Sequence, residues 1–243
     1  MRGKVLVLDA VTVDMKGSGE ALEIDLSVDV GEFLVVTGPT RSGKSLLLEL
    51  CGGLVSPRTG RVTVFGSDWA SLAPSAQEAM RLRIGMVLQQ PGLLSNMTVY
   101  NNVALPLRYH RPAVGEAERH ALVMARLEAL ALDHVYDRFP AQLTPGEVRC
   151  AAIARAMMLE PEVLLLDDVV AGLDAGMIAR LQVYLESCRR NRPLAILATL
   201  RLPSPLLEQT DRVLLLRNGH IESVGPRDVV LRDAQPSTKL YVS

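Results

Sequence analysis

Apolar residues fall into short runs along this chain. Residues 4–13 and 22–30 alternate imperfectly between apolar and polar positions, as half-buried strands do. Gly17-Ser18-Gly19 predicts a turn between them. Residues 33–36 form a wholly apolar strand. A glycine-rich stretch, 38–45, follows at once, and the apolar run 46–50 after it reads as a helix. Residues 61–65, bounded by Gly60 and Gly66, predict another strand.

From Trp69 the texture changes. Leu, Val and Met recur three and four apart through 116–130, and 151–159 is again helical. The span 72–158 therefore reads as a mostly helical inserted subdomain, entered through a short strand at 84–88. Apolar strands resume at 163–166, 194–198 and 213–216, with a helical stretch, 177–190, between the first two. Asn218-Gly219 turns the chain into a last strand, 221–224. Apolar strands separated by helices imply a mostly parallel sheet covered on both faces. The tail, 233–243, is expected to lie against the core or fray.

The glycine-rich stretch adds chemistry. Gly38-Pro39-Thr40-Arg41-Ser42-Gly43-Lys44-Ser45 matches GxxxxGK[ST] in full, with a strand before it and a helix after it. Such a loop turns successive backbone N–H groups inward around phosphates, and the following helix adds its positive end. Lys44 reaches the β- and γ-phosphates as a point charge, and the Ser45 hydroxyl is a ligand for Mg²⁺. The motif alone predicts a P-loop nucleotidase and leaves its class open.

Composition narrows the partners. Of 243 residues 49% are hydrophobic, which suits one α/β domain over 1–243 with a smaller subdomain inserted. No run approaches the ~20 apolar residues that span a bilayer, and residues 1–8 show no signal-peptide pattern, so a cytoplasmic protein is expected. With 26 basic and 27 acidic residues, there is no bulk electrostatic case for nucleic acid. Cys51, Cys150 and Cys188 lack metal-ligand spacing, and their odd number argues against a disulfide framework. The four histidines form no HxxH pattern, so the only metal expected is the Mg²⁺ a nucleotide brings.

The order of further motifs supplies the class. From residue 4 to residue 232 the chain resembles the ATP-binding subunits of ABC transporters. Val163-Leu164-Leu165-Leu166-Asp167 is similar to that family's Walker B strand, Gln89 to its Q-loop glutamine and Ala171-Gly172-Leu173-Asp174 to its D-loop. Alone, Gln89 would be a polar turn residue, Asp174 a helix N-cap and Asp167 a strand-end carboxylate. Their order after a full phosphate loop carries the likeness. It implies a P-loop NTPase core with a mostly parallel sheet, an N-terminal antiparallel β region and the helical insert. It also implies that Asp167, with Ser45 and Gln89, holds Mg²⁺ directly or through water.

Against that family pattern, four positions depart. The catalytic glutamate is Asp168, one methylene shorter, and a displacement of ~1 Å costs a general base ~100-fold in rate. The switch histidine is Leu200, which offers no hydrogen bond and no charge. The signature LSGGQ becomes Leu143-Thr144-Pro145-Gly146-Glu147, which also fits an ordinary [ST]xx[DE] helix start. The base-stacking aromatic is replaced in the Thr12-Val13-Asp14-Met15-Lys16 region, where Met15 supplies a thioether and no ring.

The resemblance implies composite sites shared between two ATP-binding subunits, with the signature and Asp174 at the interface. A homodimer would lack the histidine twice, so a heterodimer with a second ATP-binding subunit is slightly favoured. Residues 95–108 resemble the surface that receives a membrane-spanning subunit, which places the chain at the cytoplasmic face of the inner membrane. Within the family, that stretch, residues 121–132 and Ala171 to Asp174 resemble most the Mce/Mla-type phospholipid transport ATPases, and next the lipoprotein-release group. The expected function is ATP-binding subunit of a membrane transport complex, coupling nucleotide-dependent dimer closure to the membrane subunits, with weak or absent intrinsic hydrolysis and lipid as the expected cargo. The alternatives are a non-hydrolysing regulatory or structural subunit and a non-transport ABC protein.

Overall fold

The alternating pattern of the first thirty residues folds as β1 (Lys4–Asp14) and β2 (Ala21–Asp29), paired antiparallel. The computed structural model describes residues 3–15, 20–234 and 236–242, and the expected turn at 17–19 lies outside them. Next come β3 (Phe33–Thr37), α1 (Lys44–Cys51), β4 (Thr59–Val64) and β5 (Ser67–Asp68). β1, β2, β4 and β5 form one antiparallel sheet in the order β2-β1-β4-β5.

The helical stretch then unfolds in sequence as α2 (Pro74–Arg81), β6 (Ile84–Val87), α3 (Val99–His110), α4 (Glu116–Ala129) and α5 (Pro145–Ala156). The remainder is β7 (Val163–Leu166), α6 (Ala175–Asn191), β8 (Ala195–Thr199), β9 (Arg212–Arg217), β10 (His220–Gly225), α7 (Arg227–Asp233) and α8 (Pro236–Lys239). The second sheet has the order β10-β9-β3-β8-β7-β6. Its five strands from β9 to β6 run parallel, and β10 closes one edge antiparallel to β9. Asn218 and Gly219, at φ 48° and 78°, make the tight hairpin turn between them.

Both faces of the parallel sheet are covered, as the wholly apolar strands required. Leu34, Val36, Leu165, Leu197 and Leu214 pack with β1, β2 and Leu47, Leu48 and Leu50 of α1. Their alternate neighbours Phe33, Val35, Leu164, Leu166, Ile196 and Val213 pack with residues of α3, α4, α5 and α6. This period-two division sends each strand's side chains into two separate cores.

Several expectations shift. Strand 84–88 belongs to the main sheet, pairing residue for residue with β7, instead of introducing the helical part. The helix expected at 151–159 begins six residues earlier, at Pro145, because Thr144 and Glu147 form a reciprocal cap. α2, α3 and α7 were not resolved by period alone. α2 buries no residue fully, and α3 carries Pro106 inside it, so neither shows a clean apolar stripe. All three cysteines are free thiols, and burial pushes Cys51 and Cys150 up to about 12, so they are inert core residues. Among the described residues no helix is long and apolar enough to cross a membrane.

Candidate functional site

The parallel strands deliver their carboxyl ends to one place. β3 runs into 38–45, and β7 and β8 end at Asp167 and Thr199, where open α/β sheets bind ligands. Gly38 has φ 137°, and a Cβ there would lie 2.0 Å from the Leu216 carbonyl oxygen, so only glycine lets the loop turn against β9. Arg41 and Gly43 are also left-handed, at φ 64° and 103°, and Gly43 caps α1. The result is a cavity of about 550 Å³. Thr40 to Ser45, Gln89, Asp167, Asp168, Thr199 and Arg201 line it, with Met15 and Val55 on its apolar side.

Lys44 sits in the cavity wall, 8% exposed, and donates to the Gly38 and Pro39 carbonyls at 2.7 Å each and to Ser42 Oγ at 3.4 Å. Burial first, and then the Arg201 charge, bring its ammonium down to about 8 against the opposing pull of Asp167 and Asp168. A phosphate would reverse this by supplying negative charge. Nucleotide binding above pH 8 must therefore take up a proton, and affinity must fall as pH rises. Nucleotide titrations are expected to show binding about tenfold weaker at pH 9 than at pH 7, a dependence that Lys44→Arg removes.

Asp167 and Asp168 are both buried, at 5% and 7% exposure. The Thr199 hydroxyl donates to Asp167 Oδ1 at 2.6 Å and accepts from the Asp168 N–H at 2.8 Å. That one hydroxyl ties the Asp167 carboxylate and the Asp168 main chain to β8. Asp168 has φ 52°, a left-handed conformation that aspartate adopts more readily than most residues. Its Oδ2 pairs with Arg201 Nε at 2.8 Å. The oxygen donors Ser45, Gln89 and Asp167 on the cavity lining are the kind Mg²⁺ takes, so the donor set fits that ion.

Behind the cavity, α5 holds the loop after β6. Arg149, 5% exposed, donates to the carbonyls of Gln89, Asp167 and Ala171 at 2.7, 2.8 and 3.1 Å. Arg155 donates to Pro91 and Gly92 at 3.0 and 2.9 Å. The buried Asn102 then fixes the next stretch through Leu94, Met97 and Thr98.

The remaining sequence-derived residues fall in three groups. Met15 is 9% exposed, and its thioether lies close to Gly43, so it packs under the loop as well as lining the cavity. The segment from Leu143 to Glu147 and Asp174 lie outside the cavity: Thr144 and Glu147 cap α5, and Asp174 caps α6 by accepting from the Met177 N–H at 2.8 Å. Gly146 packs against Met177 and the Gly172 carbonyl. Leu200 does not face the cavity at all. It is fully buried in the core, and its N–H extends the β8 ladder to the Val36 carbonyl at 3.0 Å. Leu200, matched in sequence to the family's switch histidine, is thus a core residue here, and the cavity-lining neighbour Arg201 was not singled out. Strand alternation carries the signal, because it puts 199 and 201 on the same side. Arg149 was missed as well; in the sequence it is one of two arginines on α5, with Arg155, and nothing local sets it apart.

A family model described as ABC transporter matches residues 22–171. The chain is 38% identical over 217 residues to the sulfate/thiosulfate import ATP-binding protein CysA of Bradyrhizobium diazoefficiens, covering 88% of this chain and 62% of that protein. It is 32% identical over 220 residues to the uncharacterized ABC transporter ATP-binding protein YdcT of Escherichia coli, covering 90% and 63%. The chain thus spans about three-fifths of the length of the curated relatives it matches. Among solved structures, the dimeric bacterial ABC transporter cassette MJ0796 superposes with a TM-score of 0.83 at 27% identity, covering 91% of this chain and 98% of that one. Its post-hydrolysis dimer bound to ADP and Pi gives 0.84 at 26%, with the same coverage.

These relatives overturn the expected likeness to phospholipid transport ATPases, since those they name are sulfate/thiosulfate import proteins. The physical reason lies in the stretch that suggested it. Residues 95–108 mostly form α3, whose Val99, Asn102, Val103, Ala104 and Leu107 are buried. Packing dictates those side chains whatever the cargo. The phosphate loop, the strand order and the matched span agree: this chain belongs to the ABC transporter family.

Proposed function

We propose that the chain binds Mg²⁺–ATP in this cavity and serves as the ATP-binding subunit of a membrane transport complex, at the cytoplasmic face of the membrane. The convergence of Lys44, Ser45, Gln89 and Asp167 on one cavity carries this reading. Residues 38–45 wrap the phosphates, and Ser45, Gln89 and Asp167 hold Mg²⁺, which when bound neutralises charge on the β- and γ-phosphate oxygens. Met15 and Val55 offer the apolar side to the base. The chain works as one ATP-binding domain, and within 72–158 the helices form its helical part while β6 belongs to the main sheet.

The residues from Leu143 to Glu147 and Asp174 complete a second subunit's site, which their position outside the chain's own cavity supports, as does the dimeric form of the cassette MJ0796. A heterodimer is the preferred arrangement. The Asp168–Arg201 pair and the inward Leu200 favour slow hydrolysis, with ATP binding itself driving closure through a population shift. The relatives' names make import of a small oxyanion the transport role to test first.

Purified chain with Mg²⁺–ATP is expected to dimerise, to turn over ATP near background, and to co-isolate from membranes with spanning subunits and a second ATP-binding subunit. Sedimentation, phosphate release and subunit identification measure the three. Fast turnover abolished by Lys44→Ala would refute the slow-motor reading, and failure to bind nucleotide would refute the whole assignment.

A further inference from the structure

We propose that Arg201 is the γ-phosphate sensor of this site, a guanidinium that leaves Asp168 for the terminal phosphate and so distinguishes ATP from ADP. This rests on the nucleotide reading above. The placement follows from strand geometry. The Leu200 N–H adds one more rung to β8, which turns the leucine into the core and its neighbour into the cavity. Arg201 thus stands on the same wall as Thr199, whose hydroxyl ties the Asp167 carboxylate and the Asp168 main chain to β8.

Local placement of charge explains why an anion would draw it. The lining as a whole is near charge balance, with Arg41, Lys44 and Arg201 against Asp14, Glu49, Asp167 and Asp168, but Lys44 and Arg201 are the two cations beside the buried Asp167 and Asp168. The Arg201 charge reaches Lys44, the side chain that meets the outer phosphates in such loops. Yet the Arg201 side chain is 47% exposed, so solvent competes for it and weakens its hold on Asp168. A terminal phosphate offers more charge and a geometry the planar fork binds bidentately, so it outcompetes Asp168. ADP lacks that group and leaves the pair intact. Releasing Asp168 at the same moment frees a carboxylate beside the phosphate only when a triphosphate is bound.

The test compares the Kd of ADP with that of a non-hydrolysable imido analogue of ATP, both with Mg²⁺, by calorimetric titration. In Arg201→Ala the analogue is expected to bind about tenfold more weakly while ADP stays within about twofold. Arg201→Gln, which keeps the length without the charge, carries the same expectation should the alanine variant misfold. Asp168→Asn, which weakens the competing partner, is expected to tighten the analogue severalfold and leave ADP unchanged. Equal losses for both nucleotides, or no loss for either, in the Arg201 variants would overturn the sensor role. Lys44→Ala separates the two levels of the argument: losing both nucleotides is the expected result, and retaining both would overturn the nucleotide reading itself.

Discussion

Lys44→Ala is expected to weaken nucleotide binding by about 100-fold or more, because charge-assisted hydrogen bonds to phosphate contribute about 1.5–3 kcal/mol each. The same substitution should leave the ligand-free fold close to wild type. Without nucleotide the ammonium is buried at a cost, in keeping with its depression to about 8, and its three hydrogen bonds only offset that burial. Thermal melting separates the effects. At a nucleotide concentration of 100 times Kd, the wild type gains about 2.7 kcal/mol, or about 8 °C for a chain of this size. Lys44→Ala at that concentration should gain about 0.4 kcal/mol, which is close to no shift. A full nucleotide shift in the variant would mean that the phosphates bind elsewhere. A collapse of its ligand-free melting point would mean that Lys44 is a structural brace.

Much of the site was legible because phosphate chemistry is local in sequence. Six of the loop's eight residues, Thr40 to Ser45, line the cavity, and one strand, β3, and one helix, α1, aim them. Asp167 was legible only through the resemblance, since alone it reads as a strand-end carboxylate; the structure places it on the cavity lining just past β7. What stayed hidden was the direction of side chains just past a strand. Leu200 and Arg201 differ by one position, and only the hydrogen bond to Val36 shows that β8's alternation continues through them. Helices without a clean stripe were hidden too. α3 owes its place to the Asn102 network and to packing on α5, which a periodicity reading does not see. Strand 84–88 was seen, but its membership in the main sheet depends on pairing with β7, seventy-nine residues away at Ile84 and Val163.

Arg149 carries the second large effect. Its guanidinium fills three backbone carbonyls, and each belongs to a different part of the site: Gln89 after β6, Asp167 at the end of β7, and Ala171 in the turn before α6. Arg149→Ala strands these acceptors, and a buried unsatisfied group costs about 1–3 kcal/mol, so a loss of about 3–5 kcal/mol is expected, lowering the melting temperature by about 10 °C. Arg149→Lys keeps the charge but presents one ammonium where the fork reaches three oxygens, so it should recover only part of that loss. The pair of variants also tests how α5 communicates with the cavity. Arg149 and Arg155 both rise from α5 and grip the 89–92 loop from the same helix, so a shift of α5 must move Gln89 and Asp167 together. Arg149→Lys at a temperature where it stays folded should therefore bind nucleotide but dimerise poorly with it. Normal nucleotide-driven dimerisation in that variant would show that closure reaches the cavity by another route, and melting unchanged in Arg149→Ala would show that water satisfies the three carbonyls.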